Sequence, residues 1–221
     1  MLRGLFVTGT DTGVGKTVAA AALLIRYRSQ VALRYWKPIQ TGIEQDDDTA
    51  EVARLADCRP HELFTSGVRL ERPVSPHLAA RLSGRPIDLD ALAALAHSEP
   101  DSSRWIVEGA GGVLVPVSDT ANMADLMMHL GLPVVVVART ALGTINHTLL
   151  TLEALRQRAI QTAGVIMIGV SNPDNREAIE QYGHVHVLGE MPHIEPMTSA
   201  GLASWAASEL DRSGRLMELL Q

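Results

Sequence analysis

The chain has 221 residues, 46% of them hydrophobic, which is enough to bury the core of an α/β domain. Its net charge of -6 and its lack of a lysine-rich run argue against a nucleic-acid partner, and its longest apolar run, near residues 133–138, is far too short to span a membrane. The single cysteine, Cys58, excludes an intramolecular disulfide, and we interpret it as a passive helix residue. Because an apolar strand begins near the N-terminus, we expect no signal peptide and a cytoplasmic location.

Apolar and amphipathic segments alternate along the chain. The predicted strands are 4–8, 31–36, 104–108, 133–138, 163–169 and 185–188, and the predicted helices are 16–28, 48–57, 88–97, 122–130, 144–159, 174–182 and 200–219. Strands that are apolar on both faces are typical of a parallel sheet covered by helices on each side. We therefore predict one domain, residues 1–221, with a doubly wound, mostly parallel α/β sheet that binds ligands at the carboxyl ends of its strands. The proline-rich region 59–87 is expected to be an ordered excursion from this domain.

The first carboxyl-end loop has the pattern of a nucleotide-phosphate cradle. Gly9-Thr-Asp-Thr-Gly-Val-Gly-Lys-Thr17 follows an apolar strand and precedes an apolar helix. Glycines let backbone N–H groups turn toward phosphates, and the helix N-terminus adds its positive dipole end. Lys16 is predicted to reach the β- and γ-phosphates, and the Thr17 hydroxyl to ligate Mg²⁺. Thr10 stands where the general pattern has glycine.

Two further loops carry charged residues to the same edge of the sheet. Lys16 and Lys37 are the only lysines in the chain, which favours a catalytic role for both. The second loop begins with Lys37-Pro38, and the acidic cluster Asp46–Asp48 follows at a predicted helix start. At least one of these carboxylates is expected to cap the helix, and one could hold Mg²⁺. This pattern alone leaves open which of Asp46, Asp47 and Asp48 has which task.

The remaining carboxyl-end loops contain a strand-ending acid and a helix start. Glu108, followed by Gly-Ala-Gly-Gly, has the position of an acid that reaches magnesium beside a phosphate loop. The turn Gly143–Asn146 opens a helix whose free N–H groups could bind an anion such as a carboxylate, although ordinary capping by Thr144 is equally compatible with the sequence.

In these motifs the chain resembles the dethiobiotin synthetase family of the biotin pathway. The matching pieces are Gly9–Thr17, Lys37-Pro38 with Thr41, Ser75-Pro76-His77, Val107–Gly112, Leu142–His147 and Gly189–Pro192, in the family's order over roughly the first 190 residues. The resemblance implies an ATP-dependent ligase that joins CO2 to 7,8-diaminononanoate as a carbamate, phosphorylates the carbamate, and closes a cyclic urea. It also implies Mg²⁺ and a homodimer in which a second subunit completes the substrate pocket.

The resemblance implies a role for each matching residue. The catalytic residues are Lys37, Lys16 and Thr12, and the metal ligands are Thr17, Asp48 and Glu108. Asp48 is chosen among the three aspartates because the helix-like sequence Thr-Ala-Glu-Val follows it directly, as in the family. The nucleotide-binding residues are Gly13, Val14, Gly15, Lys16, Thr17, Val18, Asp48, Glu108, Gly109, Ala110, Gly111, Pro192, His193 and Ile194. The substrate-binding residues are Thr12, Lys37, Thr41, Gly143, Thr144, Ile145 and Asn146, the last four for the substrate's distant carboxylate.

One position departs from the family pattern, and two other classes of protein share parts of it. Ile168-Gly169 replaces the Asn-Asp pair with which well-known members read the adenine edge, so weaker discrimination among triphosphates is one expectation. Asn172 or the backbone at 192–194 could substitute for that pair. We do not expect a synthetase coupled to a glutaminase domain with a nucleophilic cysteine, because 221 residues leave no room for that domain and Cys58 has no suitable context. A partitioning or septum-positioning ATPase would carry lysine near Thr10 and a basic C-terminal helix, whereas residues 205–220 have balanced charges.

Overall fold

A computed structural model describes residues 2–99 and 103–221. Its strands are β1 (Gly4–Gly9), β2 (Leu33–Trp36), β3 (Ile39–Thr41), β4 (Leu63–Phe64), β5 (Val68–Leu70), β6 (Arg104–Gly112), β7 (Val134–Arg139), β8 (Thr162–Ile168) and β9 (Val187–Met191). Its α-helices are α1 (Lys16–Tyr27), α2 (Asp48–Ala56), α3 (Pro76–Ser83), α4 (Leu89–His97), α5 (Met123–Leu130), α6 (Thr144–Arg156), α7 (Pro173–Gly183), α8 (Ser199–Ser208) and α9 (Arg215–Leu220). A 3₁₀ turn covers Pro60–Glu62.

A seven-stranded sheet forms the centre, in the order β4-β2-β6-β1-β7-β8-β9. All of its pairs are parallel, and a second, two-stranded parallel sheet joins β3 to β5. Because β1 lies between β6 and β7, the loops after these three strands meet at one edge. The predicted doubly wound α/β fold is confirmed.

Helices cover both faces of this sheet, as side-chain alternation along the strands requires. In β1, Phe6 faces a core shared with α4, α5, α6 and α7, whereas Leu5 and Val7 face a core shared with α1, α2, α8 and α9. All three side chains are fully buried, so the central strand is apolar on both faces. No helix among the described residues is long and apolar enough to cross a membrane.

The structure corrects several predicted boundaries. The excursion 59–87 contains two short strands and helix α3, which the sequence did not predict, and β6 runs on through the Gly-Ala-Gly-Gly segment to Gly112. The predicted helix 200–219 is wrong as one helix, because it divides into α8 and α9. Between them Asp211 and Gly214 adopt positive φ angles of 47° and 73°, which an α-helix does not tolerate.

Candidate active site

The phosphate loop lies between β1 and α1, where the sequence predicted it. Gly15 precedes the first helical residue and has φ 98° and ψ 25°, a left-handed conformation that favours glycine. A Cβ at Gly15 would also lie 2.5 Å from Ile168 Cδ1, so the loop packs directly against the end of β8. The Lys16 ammonium, only slightly exposed, donates to the carbonyl of Asp11, 3.0 Å away, and curls over the loop.

A buried ion cluster lies beside this loop. Lys37 Nζ is 2.5 Å from Asp48 Oδ2 and 2.8 Å from Glu108 Oε1, and it donates to the carbonyl of Gly109 at 2.9 Å. Thr17 Oγ1 is 3.0 Å from Asp48 Oδ1 and 3.0 Å from Glu108 Oε1. Four side chains, from α1, from α2, from the end of β2 and from the middle of β6, therefore converge on one point.

Burial and mutual charge set the protonation of this cluster. Burial disfavours a charged Lys37, but Glu108 and Asp48 outweigh it, so its pKa is raised. Burial opposes the ionised form of Asp48 too, yet Lys37 and Thr17 hold the pKa of Asp48 below its usual range. Burial dominates at Glu108 and raises its pKa. Burial and the nearby Lys37 charge lower the pKa of Lys16 to about 8.

The acidic cluster at the start of α2 divides its tasks between neighbours. Asp47 is the N-cap, and its carboxylate accepts hydrogen bonds from the backbone N–H groups of Thr49 and Ala50. Asp48 is the first helical residue and turns inward to Lys37 and Thr17. Asp46 lies in the loop, where its carbonyl accepts from Gln40. Of these three aspartates, Asp48 is the one whose carboxylate contacts Thr17 of the phosphate loop.

The oxygen atoms of Thr17, Asp48 and Glu108 suit a magnesium ion. Adjacent ligands of an octahedral Mg²⁺, at roughly 2.0–2.1 Å from the ion, stand about 3 Å apart. Thr17 Oγ1 has this 3.0 Å separation from both carboxylates, and all three donors are hard oxygens. Thr17 is needed as the third donor, because among the described residues no group of three or more His, Cys, Asp or Glu could hold a metal. Phosphate oxygens and water would complete the shell.

A cavity of about 680 Å³ opens onto the cluster. Of the residues predicted from the sequence, those that line it are Thr12, Gly13, Gly15, Lys16, Thr17, Val18, Lys37, Thr41, Asp48, Glu108, Ala110 and Gly111. Val14 is buried beneath the loop, and Gly109 contributes its carbonyl to Lys37. The structure therefore brings most of the predicted residues around one cavity.

Two predicted groups lie outside this cavity. Pro192, His193 and Ile194 follow β9, on the side of the phosphate loop where Ile168 packs against Gly15. Gly143, Thr144, Ile145 and Asn146 open helix α6 on a different side of the loop, where Leu142 is fully exposed. Gly143 caps α6 in a left-handed conformation, and no side chain of the described residues makes a capping bond there.

Two residues that the sequence analysis missed contact the cluster or its backbone. The Tyr35 hydroxyl donates to Glu108 Oε2 at 2.9 Å, and burial together with Glu108 raises the pKa of Tyr35 well above its usual value. Arg69 on β5 donates to the carbonyl of Lys37 at 2.8 Å. The two-residue spacing from Tyr35 to Lys37 could have indicated a shared face. Arg69 had no such signal, because β5 was not predicted.

A parallel sheet with a glycine-rich loop, a Gly-Lys-Thr helix start and an acid on the neighbouring strand β6 defines a P-loop nucleotide-binding protein. The chain matches the family described as "AAA domain" over residues 3–200. It is 49% identical to the ATP-dependent dethiobiotin synthetase BioD of Paramagnetospirillum magneticum, covering 91% of this chain and 94% of that protein. The chain therefore belongs to the dethiobiotin synthetase family.

Two other proteins resemble the chain, one in sequence and one in fold alone. The chain is 44% identical to the biotin biosynthesis bifunctional protein BioCD of Bordetella avium, covering 92% of this chain and 42% of that protein. A solved ParA family ATPase from Chlorobium tepidum superposes with a TM-score of 0.60 over 93% of this chain and 98% of that one. Its sequence identity is only 11%, so this likeness shows the fold alone.

Proposed function

We propose that this chain is an ATP-dependent dethiobiotin synthetase, a ligase that joins CO2 to 7,8-diaminononanoate and closes the cyclic urea of dethiobiotin. The observation that carries the proposal is the position of Lys37. Its ammonium is buried beside two carboxylates, yet it lines the same cavity as Lys16 and Thr17 of the phosphate loop. A cation there can contact both a transferred phosphoryl group and an acceptor carboxylated on nitrogen.

The proposed reaction has three steps. One substrate amine adds to CO2 and loses a proton, giving a carbamate. A carbamate oxygen then attacks the γ-phosphorus of ATP, and ADP leaves. The second amine attacks the carbamate carbon, phosphate leaves, and a proton is released as the urea ring closes. Phosphoryl transfer needs mainly positioning and charge neutralisation, which the two lysines of the chain supply.

The nucleotide role is proposed for the phosphate loop and the strand ends beside it. Residues 13–18 would cradle the phosphates, with Lys16 leaving the Asp11 carbonyl to reach them. Thr17, Asp48 and Glu108 would hold Mg²⁺, which supplies Lewis-acid charge neutralisation when bound. Gly109–Gly111 let the backbone of β6 approach the triphosphate, and Pro192–Ile194 would border the base.

The substrate role is proposed for residues at the rim of the cavity. Thr12 and Thr41 both line it, within the space that Lys37 also faces. The reacting amines would lie there, between the γ-phosphate and Lys37. Thr12 is exposed at the tip of the phosphate loop, and its carbonyl accepts a hydrogen bond from Arg139 at 3.0 Å.

A second copy of the chain is proposed to complete the pocket. The turn Gly143–Asn146 is not among the residues that line its own chain's cavity. The Thr144 N–H donates to the Ala141 carbonyl at 3.1 Å, and the other N–H groups of this helix start would bind a neighbouring subunit's substrate. An apolar groove of about 550 Å³, lined by Leu114, Leu150 and Thr12, lies between this helix and the phosphate loop. Exposed leucines beside an active site are typical of a contact surface.

The remaining expectations follow from the same proposal. We propose that residues 1–221 act as one domain, since both cores pack against one central sheet. A cytoplasmic location fits a chain whose lone Cys58 is half-buried and has its pKa raised to about 11, chiefly by burial. Such a thiol is mostly un-ionised at neutral pH and therefore weakly reactive.

The decisive experiment measures phosphate release from Mg-ATP and bicarbonate, with and without 7,8-diaminononanoate, and identifies the product by mass. Release that depends on the diamine, together with a cyclic urea, is the expected result. ATP hydrolysis at the same rate with and without the diamine, as in a nucleotide-switched partitioning ATPase, would show that the diamine is not the acceptor. A Lys37→Gln variant should lose urea formation while still binding ATP.

A further inference from the structure

Arg69 bridges the two backbone segments that carry the central ion pair. Its Nη1 donates to the carbonyl oxygen of Lys37 at 2.8 Å, and its Nη2 donates to Thr49 Oγ1 at 3.3 Å. Thr49 is 8% exposed and directly follows Asp48 in the first turn of α2. One guanidinium group therefore links the end of β2 to the start of α2.

The strand that carries Arg69 strengthens this link. The backbone N–H of Val68 donates to the carbonyl of Pro38 at 2.9 Å, and Gln40 of β3 pairs with Arg69 in the parallel register. The carbonyl of Arg69 in turn accepts from Arg85 Nη1 at 3.1 Å. The guanidinium thus projects from a strand that is itself fixed to the loop after Lys37.

The position of the Lys37 ammonium depends on these anchors. A lysine side chain has four rotatable bonds and a compact charge, so its own rotamers do not specify one location. The location is set by the backbone at Lys37, by the Asp48 carboxylate 2.5 Å from Nζ, and by Glu108 Oε1 and the Gly109 carbonyl at 2.8 and 2.9 Å. Arg69 contacts the Lys37 backbone directly, and it contacts the helix turn that carries Asp48 through the neighbouring Thr49.

We infer that Arg69 is a positioning residue for phosphoryl transfer and ring closure: it keeps Lys37 and Asp48 at their mutual distance and aimed into the cavity. This inference rests on the proposed function of Lys37. Arg69 acts through other residues and is not itself required to touch nucleotide or substrate. Its planar fork is the feature that matters, because lysine keeps the charge but cannot donate to two acceptors in a fixed geometry.

The test compares variants that remove each arm of the fork. Arg69→Lys should lower kcat roughly 10- to 100-fold, the cost of a small misplacement of a catalytic group, with the KM for ATP close to that of the unaltered chain. Thr49→Val removes only the hydroxyl arm and should lower kcat by a smaller factor, whereas Thr49→Ser keeps that hydroxyl and should retain activity. Arg81→Lys, at an exposed arginine of α3, is the matched control for an arginine-to-lysine change away from the cluster.

The outcomes separate positioning from plain structural support. A fall in kcat with unchanged thermal midpoint and unchanged KM for ATP supports the inference. Normal kcat in Arg69→Lys, or a raised KM for ATP with normal kcat, overturns it. If Arg69→Lys does not fold, the Thr49→Val and Thr49→Ser pair decides, since equal kcat in the two also overturns it.

The same assay distinguishes this inference from the function on which it rests. Cyclic urea formation by the unaltered chain, and its loss in Lys37→Gln, would establish the function first. With those two results in hand, an unaffected Arg69→Lys variant contradicts only the positioning role. If the unaltered chain forms no urea, or Lys37→Gln forms it normally, the proposed function has failed instead.

Discussion

At the scale of single residues, neighbouring aspartates of α2 have different tasks. Asp47 caps the helix, while Asp48 faces Lys37 and Thr17. We expect Asp48→Asn to raise the Mg²⁺ concentration that gives the half-maximal rate by at least about 10- to 100-fold. Even residues that only hydrogen-bond to a metal ligand contribute that much to metal affinity. Asp47→Ala should keep kcat and lose only about 1 kcal/mol of unfolding free energy, the usual cost of an N-cap.

Magnesium titrations of the rate and urea unfolding measure these two effects. Both variants remove one carboxylate from the same turn, so they are matched in overall charge. If Asp47→Ala impaired the magnesium titration as strongly as Asp48→Asn, the assignment of Asp48 would be wrong.

The end of β8, which lies beside the phosphate loop, predicts weak discrimination among nucleotide bases. Ile168 is aliphatic, and Gly169 has φ 142°, where a Cβ would meet the Thr140 hydroxyl, so a polar side chain at 169 is sterically excluded. Asn172, the side chain that could substitute, is engaged as the N-cap of α7, where its side-chain oxygen accepts from the backbone N–H of Asn175 at 3.0 Å. Apolar pockets discriminate by only roughly 10- to 200-fold.

We therefore expect the KM values for ATP, CTP and GTP to lie within about 100-fold of one another. Steady-state assays with each triphosphate, under the same diamine and magnesium concentrations, measure the ratio. A preference for ATP of roughly 10,000-fold would indicate hydrogen-bond reading of the base, contrary to this expectation.

At the scale of elements, a buried aspartate fastens the C-terminal helix to α1. Asp211 is 1% exposed and accepts hydrogen bonds from the Tyr27 hydroxyl at 2.5 Å and from the backbone N–H groups of Arg215 and Leu216 at 3.0 and 2.8 Å. The carboxylate thereby satisfies the first turn of α9. Burial, followed by the contact with Asp211, raises the pKa of Tyr27.

This link predicts a sensitivity to alkali. Because the pKa of Tyr27 is higher in the folded than in the unfolded chain, its stabilisation is fully present below about pH 10, the ordinary tyrosine value, and is lost as the pH rises above it. Tyr27→Phe should be less stable at pH 7 by about 1.5–3 kcal/mol, as for a hydrogen bond to a charged group. Its thermal midpoint should then fall less than that of the unaltered chain between pH 9 and 11. Tyr182→Phe, at a 65% exposed tyrosine, should show neither change.

The same elements show how far sequence reasoning reached. Strands such as β7 are continuous apolar runs, and α1 follows a phosphate loop, so local pattern alone predicted both. Helices α8 and α9 were predicted as one helix because Leu210 and Leu216 continue the apolar spacing, while the interruption depends on the buried Asp211 and its partner Tyr27, distant in sequence.

The site residues Lys37, Asp48 and Glu108 could be predicted because they stand at predicted strand and helix ends. Arg69 was missed because its contacts are non-local and β5 has only three residues.

At the scale of the whole molecule, the apolar groove beside the phosphate loop predicts the assembly. Leu142, Leu150 and Leu114 are 104%, 61% and 53% exposed, and two of them line the groove near Thr12. Covering them with a second copy would bury apolar area and bring a helix start toward the substrate, so the assembly and the binding of the diamine are expected to be coupled.

Leu150→Glu is therefore expected to convert a dimer into a monomer in sedimentation equilibrium, because it places a charge in a surface that must be desolvated. The KM for the diamine should rise by about tenfold or more, as for the loss of roughly 1.4 kcal/mol of binding, while the Kd for ATP stays nearly constant because each phosphate loop belongs to one chain. Leu82→Glu is the control, since Leu82 is similarly exposed at 57% but lies on α3, outside the groove. A dimeric Leu150→Glu variant with normal diamine kinetics would place the subunit contact elsewhere, and a fully active monomer would show that one chain completes the pocket alone.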